Sequence, residues 1–137
     1  KNGPRIFALH VGWRGLMKEI LTESSSYWLK NHPVEMWIGP HIRQKSFELD
    51  FESAKQLITL HNIKFEEALS LNLFKISNKQ RNHVHVTLSK ILQKEAQKLN
   101  INKIHGCTID TFSSYQHNSF RQNRFNGMRN YSYILRK

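Results

Sequence analysis

The stretch RIFALHVGWRGL, Arg5 to Leu16, sets the reading of this chain. Ile6 to Val11 is an almost continuous apolar run, the pattern of a strand buried on both faces and so central in a sheet. Alternation puts Phe7, Leu9 and Val11 on one face and Ile6, Ala8 and His10 on the other. Gly12-Trp13-Arg14-Gly15 ends the run. From Leu16 to about Lys30 the pattern is helical, with Met17, Ile20, Leu21, Tyr27 and Trp28 near one face. Asn31-His32-Pro33 closes that helix, because the residue before a proline disfavours helical backbone.

Working outward, Val34 to Ile38 reads as a second strand, stopped by Gly39-Pro40. Asp50 is placed to cap a helix from Phe51 to about His61, with Glu52 and Ser53 in its first turn. Residues 62–82 are ambiguous: LFKIS fits a strand and SNKQRN a polar loop. Val84 to Val86 is a short extended piece. Thr87 then caps a helix in which Leu88, Ile91, Leu92, Ala96 and Leu99 recur at helical spacing, and Asn100 stops it. Lys103 to Thr108 reads as a strand, residues 111–127 as a long loop, and Tyr131 to Leu135 as a closing strand. Strands alternating with helices give an α/β (α+β) class, with helices covering a mixed sheet.

At 137 residues the chain is one domain at most. Hydrophobic residues make up 39%, which argues against disorder, and no window approaches the ~18 apolar residues of a membrane span. Lys and Arg number 21 against 10 Asp and Glu, a formal charge of +11. That excess suits a polyanion such as RNA or a small anion such as phosphate, or simply reflects a Lys- and Asn-rich proteome. The basic residues are scattered, and only RQNRFNGMR (121–129) approaches a patch. The lone Cys107 excludes an internal disulfide and suits a reducing compartment such as the cytoplasm. Asn2-Gly3 reads as a tight hairpin turn, so the chain is read as beginning inside a β-hairpin of a longer protein. Without that partner, Ile6–Val11 exposes an apolar edge. The expectation is that the upstream half of the domain, or another chain, completes the fold.

His10 is the sharpest candidate for chemistry, at the exit of a strand and just before a glycine turn. Gly12 and Gly15 carry no Cβ and let backbone approach a ligand closely. Arg14 between them offers a planar fork of donors for an oxyanion or phosphate. An ordinary hydrogen-bonded His10, and an Arg14 that pins the turn through carbonyls, fit the same positions. His83 and His85 form an H-x-H that could hold Zn²⁺ with a third ligand. No Cys or carboxylate follows nearby, so a solvated loop is expected. His105 and Cys107 share a strand face, where an ordinary buried thiol is expected. Glu48 and Asp50 show no pattern of paired acid and base. There is no P-loop, no G-x-G-x-x-G and no zinc-knuckle spacing.

Three blocks in order carry a family resemblance: ALHVGWRGL (8–16), IGPHIRQKSFEL (38–49), and GCT (106–108) followed by FSSY and NGMRNYSYI. Together they resemble the laccase-domain family, formerly called multicopper polyphenol oxidoreductases. The resemblance covers nearly the whole chain but only the C-terminal part of that family's domain, so residues 1–137 are expected to be part of a single domain. It implies a three-layer α/β/α sandwich with a pocket for one divalent metal, usually zinc and copper by the older label. The ligands would be two His and one Cys. It further implies phosphorolysis of purine nucleosides and adenosine deamination, with purine nucleoside and phosphate as partners rather than nucleic acid or a membrane. On that resemblance His10 is the last metal ligand. The other two lie upstream of this sequence, and Cys107-Thr108 matches a separate Cys-Thr step. Arg14 becomes the candidate catalytic anion holder.

The sequence also departs from the family. An aromatic-Ser-Tyr-Arg-Arg-Asp stretch is usual near the end, whereas here Ser114-Tyr115 is followed by Gln116-His117-Asn118. Arg121 or Arg124 could substitute for the missing arginines, and Thr87 stands where an Asp is usual. The alternative reading is therefore a catalytically diverged member that acts as a basic nucleic-acid-binding or structural module.

Overall fold

The computed structural model describes residues 5–28, 34–122, 128, 130 and 131. The elements in chain order are α1 (Trp13–Leu16), α2 (Ile20–Trp28), β1 (Glu35–Ile38), a 3₁₀ turn (Gln44–Ser46), β2 (Glu48–Asp50), α3 (Phe51–Leu60), α4 (Phe65–Ser70), β3 (Phe74–Ile76), β4 (His83–Val86), α5 (Leu88–Lys98) and β5 (Lys103–Gly106). β1 runs parallel to β5, with Trp37 opposite His105. β2, β4 and β3 form an antiparallel sheet in that order. The mixed α/β class holds, with parallel and antiparallel pairing in two separate sheets among the described residues rather than in one.

The core follows from side-chain period. On β4, Val84 and Val86 point inward and are buried, joined by Leu49 and Phe74 from the flanking strands. Ala54, Leu57 and Ile58 of α3 and Ile91, Leu92 and Ala96 of α5 belong to the same buried cluster. Asp50 caps α3 as expected, its carboxylate accepting the Ser53 backbone N–H at 2.8 Å.

Helices α3, α4 and α5 end by the same device. Each is followed by an asparagine in the left-handed region, Asn62 (φ 56°), Asn72 (φ 52°) and Asn100 (φ 60°). A buried apolar residue comes next: Ile63, Leu73 and Ile101. Their N–H groups return to the carbonyls of Ile58, Ala68 and Ala96 at 2.9, 2.8 and 3.0 Å. These are Schellman closures, and asparagine tolerates the left-handed position better than most L-residues. Asn100 thus stops α5 as the sequence suggests. The short α4 and β3 account for the ambiguous 62–82 region.

Several expectations are corrected. The helix expected over Leu16–Lys30 is broken in two, with Glu19 at φ 45° between α1 and α2. The new helix start is met from outside: buried Glu95 of α5 accepts the Thr22 N–H at 2.9 Å. Residues Ile6 to Val11 join no sheet among the described residues, and Ile6, Phe7 and Leu9 are 46%, 45% and 41% exposed. The apolar pattern is there but a pairing strand, among the described residues, is not. Thr87 occupies the N-cap position of α5 without a side-chain cap, since its hydroxyl donates to the Asn72 carbonyl instead. Of the closing strand expected over Tyr131–Leu135, only Tyr131 is described, exposed and outside any strand. The rest of it, like Asn2-Gly3, lies outside the described residues. Among the described residues no helix is long and apolar enough to cross a membrane.

Candidate functional site

His10 lies exposed at the end of the unpaired segment, and among the described residues its ring makes no hydrogen bond or ion pair. Gly12 has ordinary extended backbone, and a Cβ built there would meet nothing within 4 Å. A Cβ on Gly15 would touch Ile20 at 3.7 Å, an ordinary contact. Neither glycine is demanded by the described packing. Open space over Gly12 is what close approach of a ligand requires. Arg14 is exposed, with its guanidinium 5.6 Å from the Trp13 ring centroid. It bonds no carbonyl among the described residues, so it does not pin the turn there. α1 is anchored from behind by buried Leu16, whose carbonyl accepts a hydrogen bond from Nε2 of buried His61 at 3.1 Å.

A second constellation forms at the carboxyl ends of the parallel strands β1 and β5, the place where open α/β sheets gather ligand-binding loops. His41 bridges to Asp110 in parallel fashion, and the Thr111 N–H donates to the His41 carbonyl. Asp110 is 8% exposed. It accepts from Ser46 Oγ at 2.7 Å, Phe112 N at 3.1 Å and Arg43 N at 3.2 Å. Burial pushes its carboxyl up, but these hydrogen bonds outweigh burial and hold it below the usual carboxylate range. His41 Nδ1 faces the Gly39 carbonyl at 2.9 Å, so that nitrogen carries the proton and Nε2 is the acceptor. Arg43 Nη1 lies 3.4 Å from that Nε2 and donates to the Cys107 carbonyl at 3.0 Å. Sequence reasoning missed His41, Arg43 and Asp110 as site residues. Their one signal was the IGPHIR block, which follows a strand.

The remaining candidates find other roles. His105 stacks on Trp37 with centroids 4.0 Å apart, and its Nε2 bonds Glu35 at 2.6 Å. Lys103, chiefly, and His105 hold the Glu35 carboxyl below its ordinary value. The His105 ring is thus engaged with Glu35 rather than poised as a base for Cys107. Cys107 is half-buried rather than buried, and its Sγ accepts the Ile109 N–H at 3.5 Å. The H-x-H belongs to β4 and not to a loop. Its partners are the two carboxylates that looked patternless, Glu48 opposite His85 and Asp50 opposite His83. Glu48 accepts from His85 Nε2 at 3.1 Å and from Ser77 Oγ at 2.7 Å. No three His, Cys, Asp or Glu among the described residues stand close enough together to hold a metal ion. In the divergent stretch, Ser114 Oγ bonds His117 Nδ1 at 2.9 Å and Tyr115 is exposed. Beyond it, Arg121 places its guanidinium 4.4 Å from the Phe47 ring centroid; Arg124 lies outside the described residues.

Comparison with known proteins bears on the family and the fold. A family described as multi-copper polyphenol oxidoreductase laccase matches residues 1–137. The purine nucleoside phosphorylase of Haemophilus influenzae is 28% identical over 96 residues, covering 63% of this chain and 39% of that protein. A Neisseria meningitidis protein of the DUF152 family has a similar structure, with a TM-score of 0.66 at 23% identity over 82% of this chain and 44% of its own. The Bacillus licheniformis hypothetical protein YfiH also scores 0.66, at 16% identity over 84% of this chain and 43% of its own. The chain therefore spans less than half the length of these relatives, and the two structural likenesses speak for the fold alone.

Proposed function

The chain belongs to the multi-copper polyphenol oxidoreductase laccase family, and from that premise we propose that it is part of a zinc-dependent purine nucleoside phosphorylase that also deaminates adenosine. The observation that carries this reading is the His10–Gly15 segment. It combines an imidazole with no partner among the described residues, open space over Gly12, and an Arg14 guanidinium bonded to no carbonyl there.

A metal fits this segment as far as one donor goes: a free ring nitrogen of His10 would be one ligand. The resembled family draws its other two from upstream of this sequence. A bound zinc, with His10 among the residues that would hold it, would supply the Lewis acidity that activates water for deamination at purine C6. The chain's own contribution to phosphorolysis is electrostatic. A phosphate oxygen attacks ribose C1′ as the bond to the purine breaks, and the Arg14 guanidinium offsets the charge of the incoming anion. Gly12 leaves room for that approach.

The test is adenosine and inosine turnover, with and without phosphate, alongside metal content of the intact protein. His10→Ala is expected to abolish turnover and lower bound metal while leaving the melting temperature unchanged. Unchanged turnover in that variant would refute the assignment. An inactive protein with steeply salt-dependent RNA binding would point instead to a nucleic-acid module.

A further inference from the structure

We propose that the rim at the carboxyl ends of β1 and β5 is an oxyanion site, built on Arg43 with Lys45 beside it, that takes a phosphate-type ligand. As the seat of the phosphate cosubstrate it rests on the phosphorolysis reading above and takes over the anion-holding role given there to Arg14; as a binding site it does not rest on it.

Arg43 is held before any ligand arrives. Its backbone N–H is tied to Asp110, and its Nη1 to the Cys107 carbonyl and His41 Nε2. Among the described residues Nε and Nη2 make no hydrogen bond. They form the guanidinium edge that grips an oxyanion with two parallel N–H bonds. A side chain already fixed loses little further freedom on binding. The loop under it is equally fixed: the Gln44 carbonyl meets His85 Nδ1 at 3.1 Å, and Gln44 Nε2 donates to the Asn72 carbonyl at 3.1 Å.

The obvious objection is Asp110, a carboxylate in the same place. Its oxygens are already occupied by two backbone N–H groups and the Ser46 hydroxyl, so it serves to hold the loop. Lys45 Nζ stands 3.9 Å from it, with a side chain 71% exposed, and offsets its charge. A third cation comes from distant sequence. Arg121 reaches from the long C-terminal loop to cover the buried Phe47 ring, two residues beyond Lys45. A cation from a second segment thus lies against Phe47, at the end of the loop that carries Arg43 and Lys45.

The test is titration of the intact protein with inorganic phosphate, and separately with AMP, at constant ionic strength, followed by amide NMR shifts. Saturable shifts are expected over residues His41 to Phe47. Arg43→Gln should weaken binding about tenfold or more, as loss of a charge-assisted bidentate contact implies. Because Arg43→Gln also removes the Cys107 contact, the exposed variant Lys45→Gln is the second probe, and it too should weaken binding severalfold. Tighter binding of AMP would identify a phosphate monoester as the ligand, and tighter binding of phosphate the free anion. Shifts that never saturate, or unchanged affinity in both variants, would overturn the site. If phosphate binds at Arg43 but no nucleoside is cleaved, the phosphorolysis reading fails and the site stands. If nucleoside is cleaved and Arg43→Gln leaves the KM for phosphate unchanged, the reading stands and the site fails.

Discussion

Strand β4 and the segment Ile6–Val11 both set apolar side chains in a short stretch, yet they end in opposite situations. β4 is flanked by β2 and β3, and Val84 and Val86 are almost wholly buried. Ile6–Val11 carries the denser apolar sequence, but with no neighbouring strand among the described residues, Phe7 and Leu9 remain more than two-fifths exposed. Only its C-terminal end is anchored, where Val11 and Trp13 pack against the core. An extended apolar sequence gains burial from its partners and not from its own pattern.

The largest test of that contrast sets α5, which covers the core, against the unpaired segment. Ile91 is fully buried, and Ile91→Ala is expected to cost about 2–5 kcal/mol in urea denaturation through lost transfer energy and a residual cavity. Phe7→Ala, on the half-exposed segment, should cost no more than about 0.5 kcal/mol, as surface substitutions do. Comparable losses in the two variants would mean that the segment is buried in solution, and the contrast would be gone.

The same division separates what the sequence revealed from what it hid. The Asp50 cap, the α5 stripe and the Asn100 stop are local, and their physics lies within a few residues of each position. Pairing is not local. The H-x-H acquires carboxylate partners only through the register of β2 against β4. Ser46 and Arg43 meet Asp110 across more than sixty residues of chain, and nothing in either segment announces the other. The helix start that follows the break at Glu19 is met by Glu95 from α5, again beyond the reach of a local pattern. His10 and Arg14 stand out as candidates because glycines flank them, while His41 and Arg43 look like ordinary loop residues after a strand.

A second, smaller effect contrasts polar groups: Asp110 is fully engaged, whereas His10 has no partner among the described residues. Because the Asp110 carboxyl is held below its ordinary value, the stability it contributes is complete above the unfolded value of about 4. That contribution is lost as pH falls through the folded value. Asp110→Asn should lower stability at neutral pH by about 1–3 kcal/mol, the range for disrupting hydrogen bonds to a buried charged group. It should also flatten the acid limb of a stability–pH curve measured by urea denaturation. Asp50 and Glu35, also held low, are present in both proteins, so the difference between the curves isolates Asp110. Parallel acid limbs would show that the network does not hold in solution.

The smallest expected effect is the most discriminating, because folding and function should move in opposite directions. Gly15 lies inside α1, where glycine costs roughly 0.5–1 kcal/mol relative to alanine. An added methyl would meet Ile20 at an ordinary contact distance, so the fold gives no reason to exclude it. Gly15→Ala should therefore leave stability unchanged or raise it by up to about 1 kcal/mol. If backbone here must lie close to a ligand, the same methyl obstructs that approach, and nucleoside turnover should fall while the melting temperature holds or rises. Turnover that survives intact would leave Gly15 without a role in ligand approach and shift the weight of the site toward His10 and the loops at the ends of β1 and β5.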